Sequence, residues 1–295
     1  MRLYGNGALL GDIAEEIALE KSRGDAAATL SVTLCAAAAD NYLKKESLKT
    51  GDALLLTDDA DAEIFRGAVQ AVTRSAERVV LVGCDAGLYL TANELYGVFA
   101  GSSEDICRAV AGKLGIPVGT LDVPAGYRAL TFRAGARAFD ILRLAVGEER
   151  EISVRDGKLC VEAAGETVLS PAEDAVYGAS GSADVRRMVN KCVVVGRKGG
   201  VLASAQNAAD IAAHGQRQKV LGKSGDAAVQ AQNALVGRVM RGSLVLRGDL
   251  KYRCGVKIAL ARPDWGIDGA YPIVAVKHVW KAGVFTSEVT WEASK

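Results

Sequence analysis

The sequence predicts a β-rich α+β fold: two small antiparallel barrel-like domains flanking a mixed α+β middle region. Three observations predict it. Short apolar or alternating segments, about ten residues apart, recur near both ends of the chain. Two amphipathic helices and a tight hairpin follow one another in the middle. An Ala-, Gly-, Ser- and Pro-rich stretch over 163–182 then separates the middle from a return to strand. These shifts divide the chain into a first barrel-like domain at 1–95, a middle region at 96–178 and a second barrel-like domain at 179–295.

Each element has its own signal. Thr29 to Cys35 alternates, with Leu30, Val32 and Leu34 on one face, and reads as a half-buried strand. Gly51-Asp52 opens a strand over Ala53 to Thr57, and the polar run Asp58-Asp59-Ala60-Asp61 turns the chain. Ile64 to Val72 is a strand with Gly67 as its expected bulge, and Val79 to Val82 follows. Ser102-Ser103-Glu104-Asp105 offers hydroxyl and carboxylate caps to a helix carrying Ile106, Ala109, Val110 and Leu114, which Gly115 and Pro117 end. A second helix spans about Arg137 to Val146, with Phe139, Leu142 and Val146 as its apolar stripe. Ile152 to Arg155 and Lys158 to Glu162 form a hairpin about Asp156-Gly157, a turn that accepts positive φ. Asn190 to Val195 and Val201 to Ala203 flank the turn Arg197-Lys198-Gly199-Gly200. Asp226 is expected to cap a helix reaching about Met240, with Ala228, Ala231, Leu235 and Val239 inward. Strands at Lys257 to Ala261, Ile273 to Trp280 and Val284 to Trp291 close the chain. Both ends are β-rich around a mixed middle, so the layout suggests duplication, but no repeat is visible at the level of residues.

Composition narrows the function. The 295 residues are 49% hydrophobic, enough for a sizeable core. With 36 basic and 35 acidic residues the net charge is +1, so nothing draws the chain generally to nucleic acid or anionic lipid, and DNA is expected only as cargo passing through a lumen. No segment approaches the roughly 18–20 apolar residues of a spanning helix, so no membrane anchor is expected. The start Met1 to Gly7 lacks the features of a secretory signal, which places folding in the cytoplasm of the producing cell. Six cysteines, at 35, 84, 107, 160, 192 and 254, stand far apart and mostly in apolar runs, as buried reduced thiols do.

The search for chemistry assigns no catalytic, cofactor-binding or metal-binding residue. His214 and His278 are 64 positions apart, the first expected in a polar loop and the second on a sheet face. No nucleophile elbow accompanies them. Gly222-Lys223-Ser224 resembles the end of a phosphate loop, but Arg217 stands where the pattern needs glycine. Gly196 to Gly200 reads as a tight turn. Glu148, Glu149 and Glu151 read as solvated charge after a helix rather than a glycosidase pair. Trp265, Trp280 and Trp291 read as anchors of a core or an interface.

The order of features resembles a known family. Ser22-Arg23-Gly24-Asp25 before the strand at 28–34, Ile64-Phe65-Arg66-Gly67-Ala68-Val69, Phe99 to Ile106, Leu114-Gly115-Ile116-Pro117, Ala138 to Leu142, Asp156 to Leu159, and Asn190 to Gly196 followed by His214 to Gln218 recur over roughly 270 residues. Together they resemble the tail-hub (baseplate-hub) proteins of contractile-tailed phages, prophages and phage-tail-like bacteriocins, including the late control D type and the hydrolase-labelled prophage hub type. The alanine run Ala36 to Ala39 and the short strand Arg2-Leu3-Tyr4 depart from that pattern. The resemblance implies a structural subunit of the virion tail or baseplate, whose three copies form a ring of six near-equivalent barrels between a six-fold tail tube, or tube initiator, and a three-fold central spike. It implies no enzyme and no cofactor, and it places spike and lytic functions on other proteins, since the chain ends at Lys295. A tail-associated cell-wall hydrolase is the alternative.

Overall fold

The computed structural model describes residues 1–36, 47–263 and 267–294. The alanines at 37–39 and Trp265 lie outside them. The N-terminal end is built from β1 (Arg2–Gly5), β2 (Ala8–Leu9), β3 (Ala14–Ser22), β4 (Thr29–Cys35), β5 (Ala53–Thr57), β6 (Glu63–Arg74) and β7 (Arg78–Cys84). Leu30, Val32 and Leu34 of β4 and Leu81 of β7 are fully buried, as their alternation demands. The strand β3 escapes a reading by periodicity. Its ladder with β4 shifts between Ala14 and Glu16, and neighbours Ile17 and Ala18 are both buried, so Ala-Glu-Glu-Ile-Ala-Leu-Glu lacks clean alternation. Gly67 is not the bulge of β6. It pairs in register with Leu54, and a Cβ there would sit 2.2 Å from the carbonyl of Cys84, so the site requires glycine because strands approach closely. The β6–β7 ladder shifts instead between Val69 and Ala71.

The middle comprises α1 (Leu88–Ala92), β8 (Glu94–Ser102), α2 (Ser103–Leu114), β9 (Val118–Leu121), β10 (Tyr127–Arg137), α3 (Ala138–Val146), β11 (Arg150–Arg155) and β12 (Lys158–Ala163). A capping box opens α2. The Ser102 hydroxyl accepts from the Asp105 N–H at 3.1 Å, and the Asp105 carboxylate accepts from the Ser102 N–H at 2.9 Å. Ser102→Ala is expected to lower stability by about 1 kcal/mol, read as a shifted urea midpoint with unchanged slope. Gly115, at φ 67°, ends α2 in the left-handed region. Asp156 and Gly157, both at positive φ, turn β11 into β12. The ribbon of β8 and β10 turns Leu95, Phe99, Leu130 and Phe132 onto the helices.

The C-terminal end comprises β13 (Val168–Leu169), β14 (Val176–Asp184), β15 (Lys191–Val195), β16 (Val201–Gln206), α4 (Ala208–His214), β17 (Gln218–Gly222), α5 (Ala227–Asn233), β18 (Val239–Arg247), β19 (Lys257–Arg262), β20 (Ile267–Lys281) and β21 (Val284–Ser294). Asp226 caps α5 as expected, but the helix stops at Asn233. The β-branched and glycine residues of Leu235-Val236-Gly237 do not extend it, and Val239 and Met240 begin a strand whose Leu244 and Leu246 enter the core. The stretch 163–182 is not merely a boundary, because its second half is β14, an edge strand with no large apolar residue after Tyr177.

The ends share a pairing order. In the N-terminal end it is β3-β4-β7-β6-β5, and in the C-terminal end β14-β18-β21-β20-β19, every neighbour antiparallel. The irregularities coincide as well. The ladder β3–β4 shifts after Ala14 and β14–β18 after Val176; β6–β7 shifts after Val69 and β20–β21 after Ile273. Superposing these registers places Val32 on Leu244, Leu34 on Leu246, Leu54 on Ile258, Val69 on Ile273 and Leu81 on Val289, all of them buried. A residue-level repeat absent from the letters is thus present in the pairing. The ends then join: β20 pairs antiparallel with β3, from Ala275 opposite Ser22 to Lys281 opposite Glu16, so that one 13-stranded sheet runs through the molecule. Lys281–Glu16 and Lys277–Glu20 ion pairs, at 2.6 and 2.7 Å, cross that joint.

Candidate functional site: a buried polar cluster and the free sheet edges

One polar cluster is enclosed where the three parts of the chain meet. The β3 strand supplies Lys21, the turn after β7 supplies Asp85, β11 supplies Glu151, and the loop before β19 supplies Cys254. They line a cleft of about 250 Å³. Asp85 accepts hydrogen bonds from the N–H groups of Ala28 at 3.1 Å and Gly87 at 2.8 Å. Burial nevertheless pushes its pKa up to about 6, and burial also raises Glu151. Burial lowers the Lys21 ammonium, which donates to the carbonyls of Asp25 and, at 2.8 Å, Ala26. The Cys254 thiol donates to the Lys21 carbonyl at 3.5 Å, and burial pushes it up to about 12, so it is no nucleophile near neutrality. At the rim, Glu162 pairs with Arg155 at 2.5 Å and Arg253 at 3.0 Å. Most of these bonds end on backbone, and they tie the N-terminal end, the middle hairpin and the C-terminal end together.

The candidate residues of the sequence are scattered. Glu148 and Glu149 are exposed, but Glu151 is buried on β11, which corrects its reading as solvated charge. It stands on the face opposite Ile152 and Val154 and lines the cleft beside Lys21 and Cys254, neighbours too distant in sequence for a local pattern to show. His278 is also buried. Its ring meets Ser287 Oγ at 2.9 Å and the Tyr252 carbonyl at 3.1 Å, and burial holds its pKa down near about 4, so it is neutral. His214 is exposed at the end of α4. Gly222 ends β17, and the amide of Gln230 accepts from the Ser224 N–H and donates to the Gly222 carbonyl, so Gly222-Lys223-Ser224 is a helix-entry turn and not a phosphate cradle. Gly196 to Gly200 is the β15–β16 turn, closed by the Gly196 N–H donating to the Gly200 carbonyl at 2.9 Å. Trp291 is fully buried and Trp280 stacks on Phe285 at 4.5 Å. All six cysteines are free, and four are buried. No group of three or more metal-ligating side chains occurs among the described residues.

What the chain does expose is strand edge and apolar surface. The outer edge of β14 has no strand partner among the described residues, and Val-Tyr-Gly-Ala-Ser-Gly-Ser over 176–182 carries no charge. An edge so bare of lysine, proline and charge is a template for another strand. On the ribbon, Tyr96 is 77% exposed, Tyr127 76% and Val98 67%, a face too apolar to be left to water without reason. The insert 185–238, which interrupts the C-terminal end between β14 and β18, holds nine Lys or Arg against two Asp, a net +7 in a chain of net +1. Only Arg186 among those nine is ion-paired among the described residues. Sequence reasoning missed the edge because small polar residues resemble a linker; the missing charge was its one visible signal.

The sequence pattern of the YQBQ-like family matches residues 17–291. The chain belongs to the YQBQ-like family. No curated protein matches it. Solved structures match its fold over nearly the whole length. The 43 kDa tail protein of prophage MuSo2 from Shewanella oneidensis is 14% identical, with a TM-score of 0.77 over 98% of this chain and 96% of its own. The tail protein from Neisseria meningitidis MC58 is 12% identical, with a TM-score of 0.72 over 99% and 95%. The Escherichia coli c3393 protein, a component of the type VI secretion system described as structurally similar to T4 bacteriophage tail proteins gp27 and gp5, is 11% identical, with a TM-score of 0.58 over 99% and 76%. The fold of this YQBQ-like chain is therefore that of prophage tail proteins, as the resemblance to tail hubs implied.

Proposed function

We propose that this chain is a structural hub subunit of a phage-type tail or baseplate. Its residues 1–95 and 179–295 act as two near-equivalent barrel-like modules about the middle region 96–178. Three copies then close a ring of six modules that joins the tail tube, or its initiator, to the central spike, with DNA as passing cargo. The observation that carries the reading is the repeated strand register of the two ends. A duplicated module is what lets a three-fold assembly offer six similar edges to a six-fold tube. The basic insert 185–238 occurs in one module only, so three copies would stand around such a ring, suited to a three-fold acidic partner.

The test is the mass of the purified full chain by light scattering, followed by imaging. A trimer with six similar densities around a channel is expected, and it should retain the spike protein produced with it. A chain that stays monomeric alone and with spike, and cleaves peptidoglycan in a gel overlay, would sink the proposal.

A further inference from the structure

We infer that neighbouring chains join through one antiparallel strand ladder, in which β6 of one chain takes the β14 edge of the next with Ala71 opposite Asp184, Val72 opposite Ala183 and Thr73 opposite Ser182. The inference rests on the hub reading and adds the surface and register through which the ring closes.

The argument starts from the joint inside the chain. There β20, the fourth strand in the pairing order of the C-terminal end, holds β3, the first strand of the N-terminal end. By the common register, the counterpart of β20 is β6 and the counterpart of β3 is β14. Within one chain these two counterparts have no joint. The β5 strand covers β6 only as far as Ala68, and no strand lies on the edge of Ala71 to Thr73 away from β7 among the described residues. The outer edge of β14 likewise carries no strand among the described residues. The two halves of one joint are therefore presented on different ends of the molecule. A contact that repeats the internal joint applies the same rotation from each end to the next, so it runs head to tail and is satisfied throughout when it closes into a ring.

Register follows by transfer. In the internal joint Ala275 faces Ser22, Val276 faces Lys21 and Lys277 faces Glu20. The bulges equate Ala275, Val276 and Lys277 of β20 with Ala71, Val72 and Thr73 of β6, and Ser22, Lys21 and Glu20 of β3 with Asp184, Ala183 and Ser182 of β14. The chemistry fits. The Lys277–Glu20 ion pair of the internal joint becomes a threonine opposite a serine, and all three of Ala183, Ser182 and Gly181 are small enough for a neighbouring strand to lie flat. The charge of the ends also favours head-to-tail contact: residues 1–84 hold thirteen acids to nine bases, whereas residues 239–295 hold nine bases to five acids.

Directly opposed residues of an antiparallel pair stand about 4.5–5.5 Å apart at Cα, within the range of a disulfide. Full-length chain carrying both Thr73→Cys and Ser182→Cys is oxidised and separated on a denaturing, non-reducing gel. Monomer is expected to shift to covalent trimer, while a mixture of the two single variants gives covalent dimer and no trimer. Thr73→Cys with Ser180→Cys, two residues out of register, serves as the control and should stay monomeric. A trimer in solution that fails to cross-link at Thr73 and Ser182, or that cross-links equally with Ser180→Cys, overturns the ladder and leaves the hub reading standing. A chain that is monomeric at every concentration and forms no cross-link overturns both.

Discussion

Replacing Trp291 by alanine is expected to cost about 3–5 kcal/mol of stability, among the largest losses any single truncation can cause here. Trp291 on β21 is 1% exposed and lies 4.8 Å from the ring of Tyr271. It fills space that Gly242 leaves on the neighbouring β18: a Cβ at Gly242 would sit 2.7 Å from the indole and 2.1 Å from the Ser180 carbonyl. The matching pair in the N-terminal end is Leu30 beside Gly83, so bulk and void have changed sides of the ladder between the two ends. Neighbours cannot collapse into the space, because Gly242 has no side chain to move. Trp291→Phe is a sharper probe. The indole N–H has no hydrogen-bond partner among the described residues, so its removal relieves a buried unsatisfied donor, and the loss should stay below about 1.5 kcal/mol. Urea unfolding of the three proteins checks this; equal losses for Ala and Phe would mean that the indole edge, not its volume, holds the core.

The Trp291–Gly242 and Leu30–Gly83 exchange also explains what was legible beforehand. Strands such as β4 and β7, which alternate and bury large side chains, and α2, whose caps and left-handed Gly115 are local, could be read directly. The hairpin at Asp156-Gly157 was equally plain. The repeated pairing was not, because it lies in register, bulge position and burial while the residues filling each site differ. Two strands, β3 at the joint between the ends and β14 at the open edge of the sheet, were hidden for opposite reasons. The β3 strand escapes because a bulge breaks its alternation, and β14 resembles a linker because its residues are small. The polar cluster was hidden by distance in sequence: Lys21, Asp85, Glu151 and Cys254 are brought together only by the sheet and the middle hairpin.

That cluster carries the second large effect. Lys21→Met is expected to destabilise the protein by about 2–3 kcal/mol at about pH 8, and by less as the pH falls. The ammonium is the cation common to the surroundings of Asp85 and Glu151, and it also serves the carbonyls of Asp25 and Ala26. Asp85 has a folded pKa of about 6, above its ordinary 3.8. Its contribution is therefore complete below pH 3.8 and is lost as pH rises through about 6. Without Lys21 the buried carboxylates are harder still to ionise, so the penalty of the variant grows over that window and shrinks under acid. His278 works the other way. Its folded pKa of about 4 lies below 6.5, so its contribution is complete above 6.5 and is lost as pH falls through about 4. Acid sensitivity from His278 is common to both proteins and cancels in their difference. Urea midpoints of wild type and Lys21→Met at about pH 8 and about pH 4.5 therefore isolate the cluster. A gap that closes at the lower pH means that Lys21 balances charge at the meeting point of the three parts. A gap of equal size at both means that it serves only the two carbonyls, and that Asp85 and Glu151 are already protonated in the fold.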